Sequence, residues 1–184
     1  VLATLLTGVG IGLLVSLVAS LFVTVLKIFA NQRHMMADQT SLLNFSFGSF
    51  VPMLWLMGAA FLLWGVRGLF GITRWHGPAD SIFAAHRLDN EIDVKTGIGS
   101  TSAAFISLSC GASVGQYGPL VHFGATIGGY LRRLFGDKMI GTDVFIGCGV
   151  AAAIAAGFHA PIAGIIFAHE AILRHFSFRA LTPI

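Results

Sequence analysis

The sequence predicts an all-α polytopic membrane protein that includes broken and re-entrant helices. Of its 184 residues, 55% are apolar and only 10% are charged, whereas a typical soluble domain has about 25% charged residues. Four windows contain no Asp, Glu, Lys or Arg: residues 1–26, 39–66, 96–131 and 144–169. Each window is longer than the roughly 20 apolar residues that one membrane-spanning helix needs. This composition argues against a soluble enzyme, a disordered tail and a secreted disulfide scaffold.

The first half of the chain predicts two ordinary membrane helices. Residues 1–29 would measure about 43 Å as one helix, so this helix should tilt or project beyond the hydrocarbon core. A polar connection is expected over residues 31–44, and a second helix over residues 50–68. We therefore expect an integral, multi-pass membrane protein that is surrounded by a lipid bilayer.

The second half predicts short and broken helices. The window 96–131 would be about 54 Å long as one helix, too long for one span. Gly-Gln-Tyr-Gly-Pro at residues 115–119 should divide it into two half-helices. Irregular backbone at membrane depth is tolerated where it is buried or lines a cavity, and broken helices often surround an ion or substrate site. The other expected elements are a breaker at 75–78, a helix over 79–87, a polar link over 89–95, a helix over 142–156, a second break at 157–161 and a helix over 162–176.

The charged residues and cysteines point to no further partner. The net charge is +3, and the basic residues are dispersed without the aromatic-interleaved basic stripe of a nucleic-acid-binding protein. They are typical of loops and of anchors at the membrane interface. Cys110 and Cys148 lie in apolar windows and are expected to be small buried residues. We expect neither a nucleic-acid partner nor a cofactor.

Two motifs of enzymes are incomplete in this sequence. Residues 111–115 match the G-x-S-x-G elbow of hydrolases, but that elbow needs a preceding strand, and the surrounding windows predict membrane helices. His169 and Glu170 begin an H-E-x-x-H motif, but Leu173 stands where the second histidine is needed. We therefore expect no catalytic residues, no metal site and no enzymatic activity.

The two predicted helix starts at Pro78 and Pro119 are suited to binding an anion. The first N–H groups of a helix have no intrahelical partner, and the helix dipole makes that end positive. Gly115 and Gly118 would let backbone amides face a ligand without an intervening side chain. A cation site would offer carbonyls or carboxylates, and these windows contain no acid. The pattern favours anion coordination by main-chain amides, and simple packing kinks are the alternative.

Two segments resemble the signatures of the CLC chloride channel and transporter family. Residues 111–119, Gly-Ala-Ser-Val-Gly-Gln-Tyr-Gly-Pro, resemble the family pattern G-x-S-x-G-x-E-G-P, and residues 157–167 resemble A-F-N-A-P-L-A-G-I-L-F. The resemblance implies that residues 1–184 form a single membrane domain, the first half of an inverted-repeat fold whose second repeat is absent from this chain. It also implies a homodimer with a pore in each subunit, in the plasma or inner membrane, with the helix that begins at Pro161 at the dimer interface.

The sequence departs from the family pattern at three places. The gating Glu of the family corresponds to Tyr117, whose phenol has an ordinary pKa near 10 and is bulky enough to plug a pore. The ion-contacting Ser of the G-S-G-I-P loop corresponds to Trp75; His76 or the backbone of Gly77 is a possible replacement, and a purely structural histidine is the alternative. Glu170 matches the first acid of the proton-coupled members, but Ala171 replaces the second.

These departures predict passive conduction of chloride or a similar small anion that is not coupled to protons. The expected anion-binding residues are Gly115, Gln116, Tyr117, Gly118, His76 and Gly77, with Tyr117 at the gate position. A proton-coupled anion antiporter and a non-conducting relative of the family remain the alternatives.

Overall fold

The computed structural model describes residues 2–41, 50–87, 92–135, 141–174 and 184, and it is all-helical over these ranges. The predicted all-α fold class is therefore confirmed. Within the described ranges, seven α-helices follow one another, and the last continues into a π-helical turn. They are α1 (Leu2–Ser41), α2 (Val51–Phe70), α3 (Pro78–His86), α4 (Val94–Ser109), α5 (Tyr117–Phe135), α6 (Thr142–Phe158), α7 (Pro161–Phe167) and the π-helical turn Ala168–Leu173.

Among the described residues, two helices are long and apolar enough to cross a membrane, namely Leu5–Met36 within α1 and Pro52–Phe70 within α2. α1 buries one face, on which Ile11, Val15 and Ala19 recur at four-residue spacing against the rest of the fold. Most other large side chains on both helices are exposed, as expected of surfaces that face lipid.

The helix ends differ from the predicted ones at several points. The prediction of a polar connection over residues 31–44 is wrong for residues 31–41, because α1 continues to Ser41. Residues 42–44 lie outside the described ranges. Residues 31–41 contain neither Gly nor Pro, so their polarity ends the apolar run without ending the helix. The link predicted over 89–95 ends earlier, because the Asp93 carboxylate accepts from the N–H groups of Lys95 and Thr96 and caps α4.

The second predicted break is also narrower than expected. α6 runs through Phe158, and only His159 and Ala160 separate it from α7, which begins at Pro161 rather than at residue 162. His159 adopts a left-handed conformation with φ of 55°, which ends α6. The helix predicted over 162–176 loses α-helical geometry after Phe167, and residues 175–176 lie outside the described part of the chain.

α4 and α5 form the broken pair predicted for the window 96–131. α4 ends at Ser109 and α5 begins at Tyr117, so Pro119 occupies the third position of α5 rather than the first. Arg133, near the end of α5, donates to the carbonyl oxygen of Ile92, just before the start of α4. The end of α5 thus lies beside the start of α4, as in an antiparallel pair. At the other end of α4, the Arg33 guanidinium of α1 donates to the Ser109 carbonyl oxygen at 3.0 Å. This hydrogen bond gives a partner to one of the carbonyl groups that a helix end leaves unpaired.

The centre of the fold is the contact between α5 and α6. α6 is buried along most of its length, and the backbones of the two helices touch. A Cβ atom added at Gly124 would fall on the carbonyl oxygen of Gly149, and one added at Gly128 would fall on that of Phe145. Small residues are therefore required for this close approach, as is common between membrane helices. Cys148, on α6, and Cys110 are both buried, as expected.

Candidate anion site

The N-terminal ends of α3 and α5 meet in the fold. A Cβ atom added at Gly118, in the first turn of α5, would lie 3.5 Å from Cγ of Pro78, the first residue of α3. The structure thus brings together the two segments that the sequence proposed for anion binding, residues 115–118 and residues 76–77. Two positive helix ends are directed at one region, which favours a negative charge there.

The start of α5 offers a row of backbone donors. The N–H groups of Gly115, Gln116, Tyr117 and Gly118 have no hydrogen-bond acceptor among the described residues. Gly115 has φ of +72°, which a glycine adopts without the strain that a side chain would bring. Gly115 and Tyr117 are exposed, so these donors remain accessible to a small ligand.

The donors at the start of α3 are already engaged. The N–H of His76 donates to the Ser100 hydroxyl at 2.9 Å, and the N–H of Gly77 donates to the Asp80 carboxylate at 2.8 Å. Asp80 also forms an ion pair with the exposed Arg74. The sequence reasoning did not consider Asp80, although an acid in the third position after a glycine at a helix start is a common capping arrangement.

Tyr117 packs against the end of α6. Its ring stacks on Phe158 with a centroid separation of 3.7 Å and an interplanar angle of 15°. The neighbouring Gly157 lets α6 approach α5 closely, since a Cβ atom there would lie 2.6 Å from Cδ2 of Leu120. The rings remain 38% and 48% exposed, respectively. The sequence reasoning missed Phe158, although it lies within the second segment that resembles the family signature, residues 157–167.

A buried polar cluster lies beside the two helix starts. His122, on α5, is 2% exposed, and its Nδ1 lies 2.8 Å from the hydroxyl oxygen of Ser81 on α3. The His76 ring lies 6.0 Å from the His122 ring, at an interplanar angle of 81°. The sequence reasoning missed both Ser81 and His122. The available signal was that His122 is the only histidine in the uncharged window 96–131.

The two positions matched to the family's acidic pair lie in the π-helical turn after α7, which packs against α3 and α6. Glu170 is exposed there, and Ala171, which is partly buried, carries no titratable group. Among the residues described here, no group of three or more His, Cys, Asp or Glu side chains is arranged to hold a metal ion.

Comparison with known proteins identifies the family of the chain. The model of the family described as voltage gated chloride channel matches residues 58–184. The chain is 26% identical over 133 residues to the voltage-gated ClC-type chloride channel ClcB of Yersinia pseudotuberculosis, an alignment that covers 72% of this chain and 32% of that protein. It is 28% identical over 130 residues to the putative chloride channel protein ClcB-like of Ralstonia nicotianae, covering 67% of this chain and 30% of that one.

The family match covers most of the helices described above. A third relative, ClcB of Salmonella typhimurium, is 27% identical over 133 residues, or 72% of this chain and 31% of that protein. The chain thus spans about a third of the length of the curated relatives it matches. The matched range includes most of α2, all later helices and both segments that carry the resemblance. Two of its described helices are long and apolar enough to span a membrane; the chain is an integral membrane protein and belongs to the voltage-gated chloride channel family.

Proposed function

We propose that the full-length protein conducts chloride or a similar small anion passively across the membrane. The anion is held by the N–H groups of Gly115, Gln116, Tyr117 and Gly118. The observation that carries the proposal is that these four consecutive donors lack an acceptor in the described structure and lie at the start of a helix of 19 residues. Such a helix start stabilises an anion both by hydrogen bonds and by its dipole.

The opposite wall of the proposed site is formed by His76 and Gly77. Their backbone N–H groups donate to Ser100 and Asp80, so an anion contacts this wall through the imidazole of His76 or by displacing the Asp80 carboxylate from Gly77. The Asp80 carboxylate offsets the positive end of α3, and its ion pair with Arg74 reduces that effect. The start of α5 is therefore the stronger part of the site.

Transport without proton coupling is supported by the side chains at the gate and in the π-helical turn. A phenol is a much weaker acid than a carboxyl group, so tyrosine is poorly suited to the proton exchange that a glutamate would perform at this position. Ala171 has no proton to exchange. A proton-coupled antiporter is the second candidate, because His76, Asp80 and His122 place titratable groups beside α5.

The assembly and its location complete the proposal. A homodimer in the plasma or inner membrane, with several spans, accommodates the exposed apolar side chains of α7, among them Ile162, which is 75% exposed. A non-conducting relative of the family is the remaining alternative, and the packed position of Tyr117 against Phe158 favours it if the ring never moves.

Chloride efflux from liposomes that contain the full-length protein tests the proposal, with the external pH recorded in the same trace. Passive conduction predicts efflux without proton movement. Efflux accompanied by opposite proton movement supports the antiporter instead, and absence of flux of any small anion from folded protein supports the non-conducting relative. Tyr117→Ala should increase the flux, and Tyr130→Ala, an exposed tyrosine at the far end of α5, is the matched control.

A further inference from the structure

The His122 imidazole is held between α3 and α5 by one hydrogen bond. Its ring is 2% exposed, and its Nδ1 lies 2.8 Å from Oγ of Ser81. Its other nitrogen, Nε2, is buried and has no hydrogen-bond partner in the part of the chain that the structure describes. Buried polar atoms are nearly always paired, so an orphaned imidazole nitrogen calls for a ligand that can satisfy it.

The Ser81 hydroxyl determines which nitrogen of His122 carries the proton. A serine hydroxyl is satisfied when its hydrogen finds an acceptor. For Ser81, the described residues offer one side-chain partner, Nδ1 of His122. The tautomer that gives the hydroxyl hydrogen an acceptor is the one in which Ser81 donates to Nδ1 and the proton of the neutral ring lies on Nε2. The orphaned atom is a donor, and its missing partner is an acceptor.

The surroundings of this donor favour an anion as that partner. His122 follows Gly118 by four residues, so both lie on the face of α5 that contacts Pro78 of α3. The donor is therefore one turn inward from the unpaired amides of Gly115 to Gly118. The ring of His76 is the neighbouring aromatic group, at 6.0 Å. The positive end of α5 acts on this region, whereas the Asp80 carboxylate offsets the positive end of α3.

We propose that Nε2–H of His122 is a further ligand for the transported anion, one turn inward from the amides at the start of α5. Ser81 is the positioning residue that fixes the donor tautomer. The chemical class of the ligand is a small, partly dehydrated monovalent anion such as chloride. The proposal rests on the proposed function of the α5 start as an anion site and adds a side-chain ligand to it.

Four variants of the full-length protein separate a ligand from a structural histidine. His122→Leu removes the donor, and His122→Gln retains an N–H group near the position of Nε2. Ser81→Ala leaves the imidazole but releases its tautomer. His86→Leu is the matched control, because His86 is an exposed histidine on α3 whose ring bonds within its own helix.

Chloride affinity, measured by calorimetry in detergent, and chloride flux in liposomes are the first readouts. His122→Leu should lower the affinity about ten- to a hundredfold, as expected for loss of a hydrogen bond to a charged group. His122→Gln should restore most of it, Ser81→Ala should give an intermediate loss, and His86→Leu should equal the parent. A folded His122→Leu protein with the affinity and anion selectivity of the parent overturns the proposal.

A spectroscopic readout on the parent protein needs a folded variant only to assign the signal. With ¹⁵N-labelled histidine, the signal that disappears in His122→Gln is assigned to His122. Its Nε2–H resonance should shift when gluconate is replaced by chloride and again by bromide. The same resonance in all three salts means that water or another protein group is the acceptor, which overturns the proposal.

The two proposals fail in different ways. A parent that moves no anion, but whose His122 resonance responds to chloride, contradicts the proposed conduction and supports the ligand. A parent that conducts chloride while His122→Leu binds it equally well contradicts the ligand and leaves the proposed function intact.

Discussion

Replacing Phe158 by Ala should weaken the hold on Tyr117 and increase anion flux. The two rings stack at 3.7 Å with an angle of 15°. An aromatic pair contributes about 0.5–1.5 kcal/mol beyond the burial of its area. Because the rings are 38% and 48% exposed, the lower part of that range applies. Since a tenfold change in an equilibrium corresponds to about 1.4 kcal/mol, the population of unstacked Tyr117 should rise about two- to fivefold.

The assay is chloride efflux per folded protein at fixed pH. If the stacked ring narrows the anion path, flux in Phe158→Ala should rise by a similar factor and stay below that in Tyr117→Ala. Phe61→Ala, which changes an exposed phenylalanine on α2, should leave the flux unchanged. The double variant of Tyr117 and Phe158 should match Tyr117→Ala, because Phe158 acts through the tyrosine. A further increase in the double variant would refute this reasoning.

Three other predictions test the gate, the packing and a helix cap. Tyr117→Glu should make chloride efflux pH-dependent, because a carboxyl group titrates below neutrality; a flat pH profile would contradict the gate assignment. Gly128→Ala should lower the free energy of unfolding by about 1–3 kcal/mol, measured by thermal unfolding in detergent. Gly58→Ala is the control and should not lower it, because a Cβ atom at Gly128 would meet backbone and one at Gly58 would meet nothing within 4 Å. Hydrogen bonds, chiefly from the Thr96 side chain, lower the pKa of Asp93 below its ordinary 3.8. The Asp93 cap should contribute roughly 1 kcal/mol to the free energy of unfolding. This contribution is present above pH 3.8 and is lost as the pH falls through the lowered pKa. The thermal stability of Asp93→Ala should accordingly equal that of the parent only in acid.

Much of the fold follows from local chemistry that the sequence displays. Pro78 and the run at residues 115–119 lie at helix starts because proline lacks the N–H that an interior position needs, and because glycine permits the preceding turn. The end of α1 was not predictable in the same way. Polar residues leave the hydrocarbon core, but they remain compatible with a helix, and the tertiary contact of Arg33 with Ser109 lies in that extension.

The proposed site was predictable only where it consists of backbone. The segments at residues 115–118 and 76–77 could be found because prolines and glycines mark helix starts. Their partners could not: Ser81 and His122 are 41 positions apart, and Tyr117 and Phe158 belong to different helices. Those pairs exist because α5 packs against α3 on one face and α6 on another, which a single sequence does not specify.

The close contact between α5 and α6 constrains how a gate at Tyr117 can open. At Gly124 and Gly128 the two backbones touch, so separating the helices would break contacts over two turns. Turning the Tyr117 ring away from Phe158 disrupts only the stack. Rotation of the Tyr117 side chain therefore requires less free energy than separation of α5 from α6. Rotations of partly exposed rings are also faster than helix displacements. If the full-length protein conducts anions past Tyr117 as proposed, rapid flicker between conductance levels is expected rather than slow opening and closing.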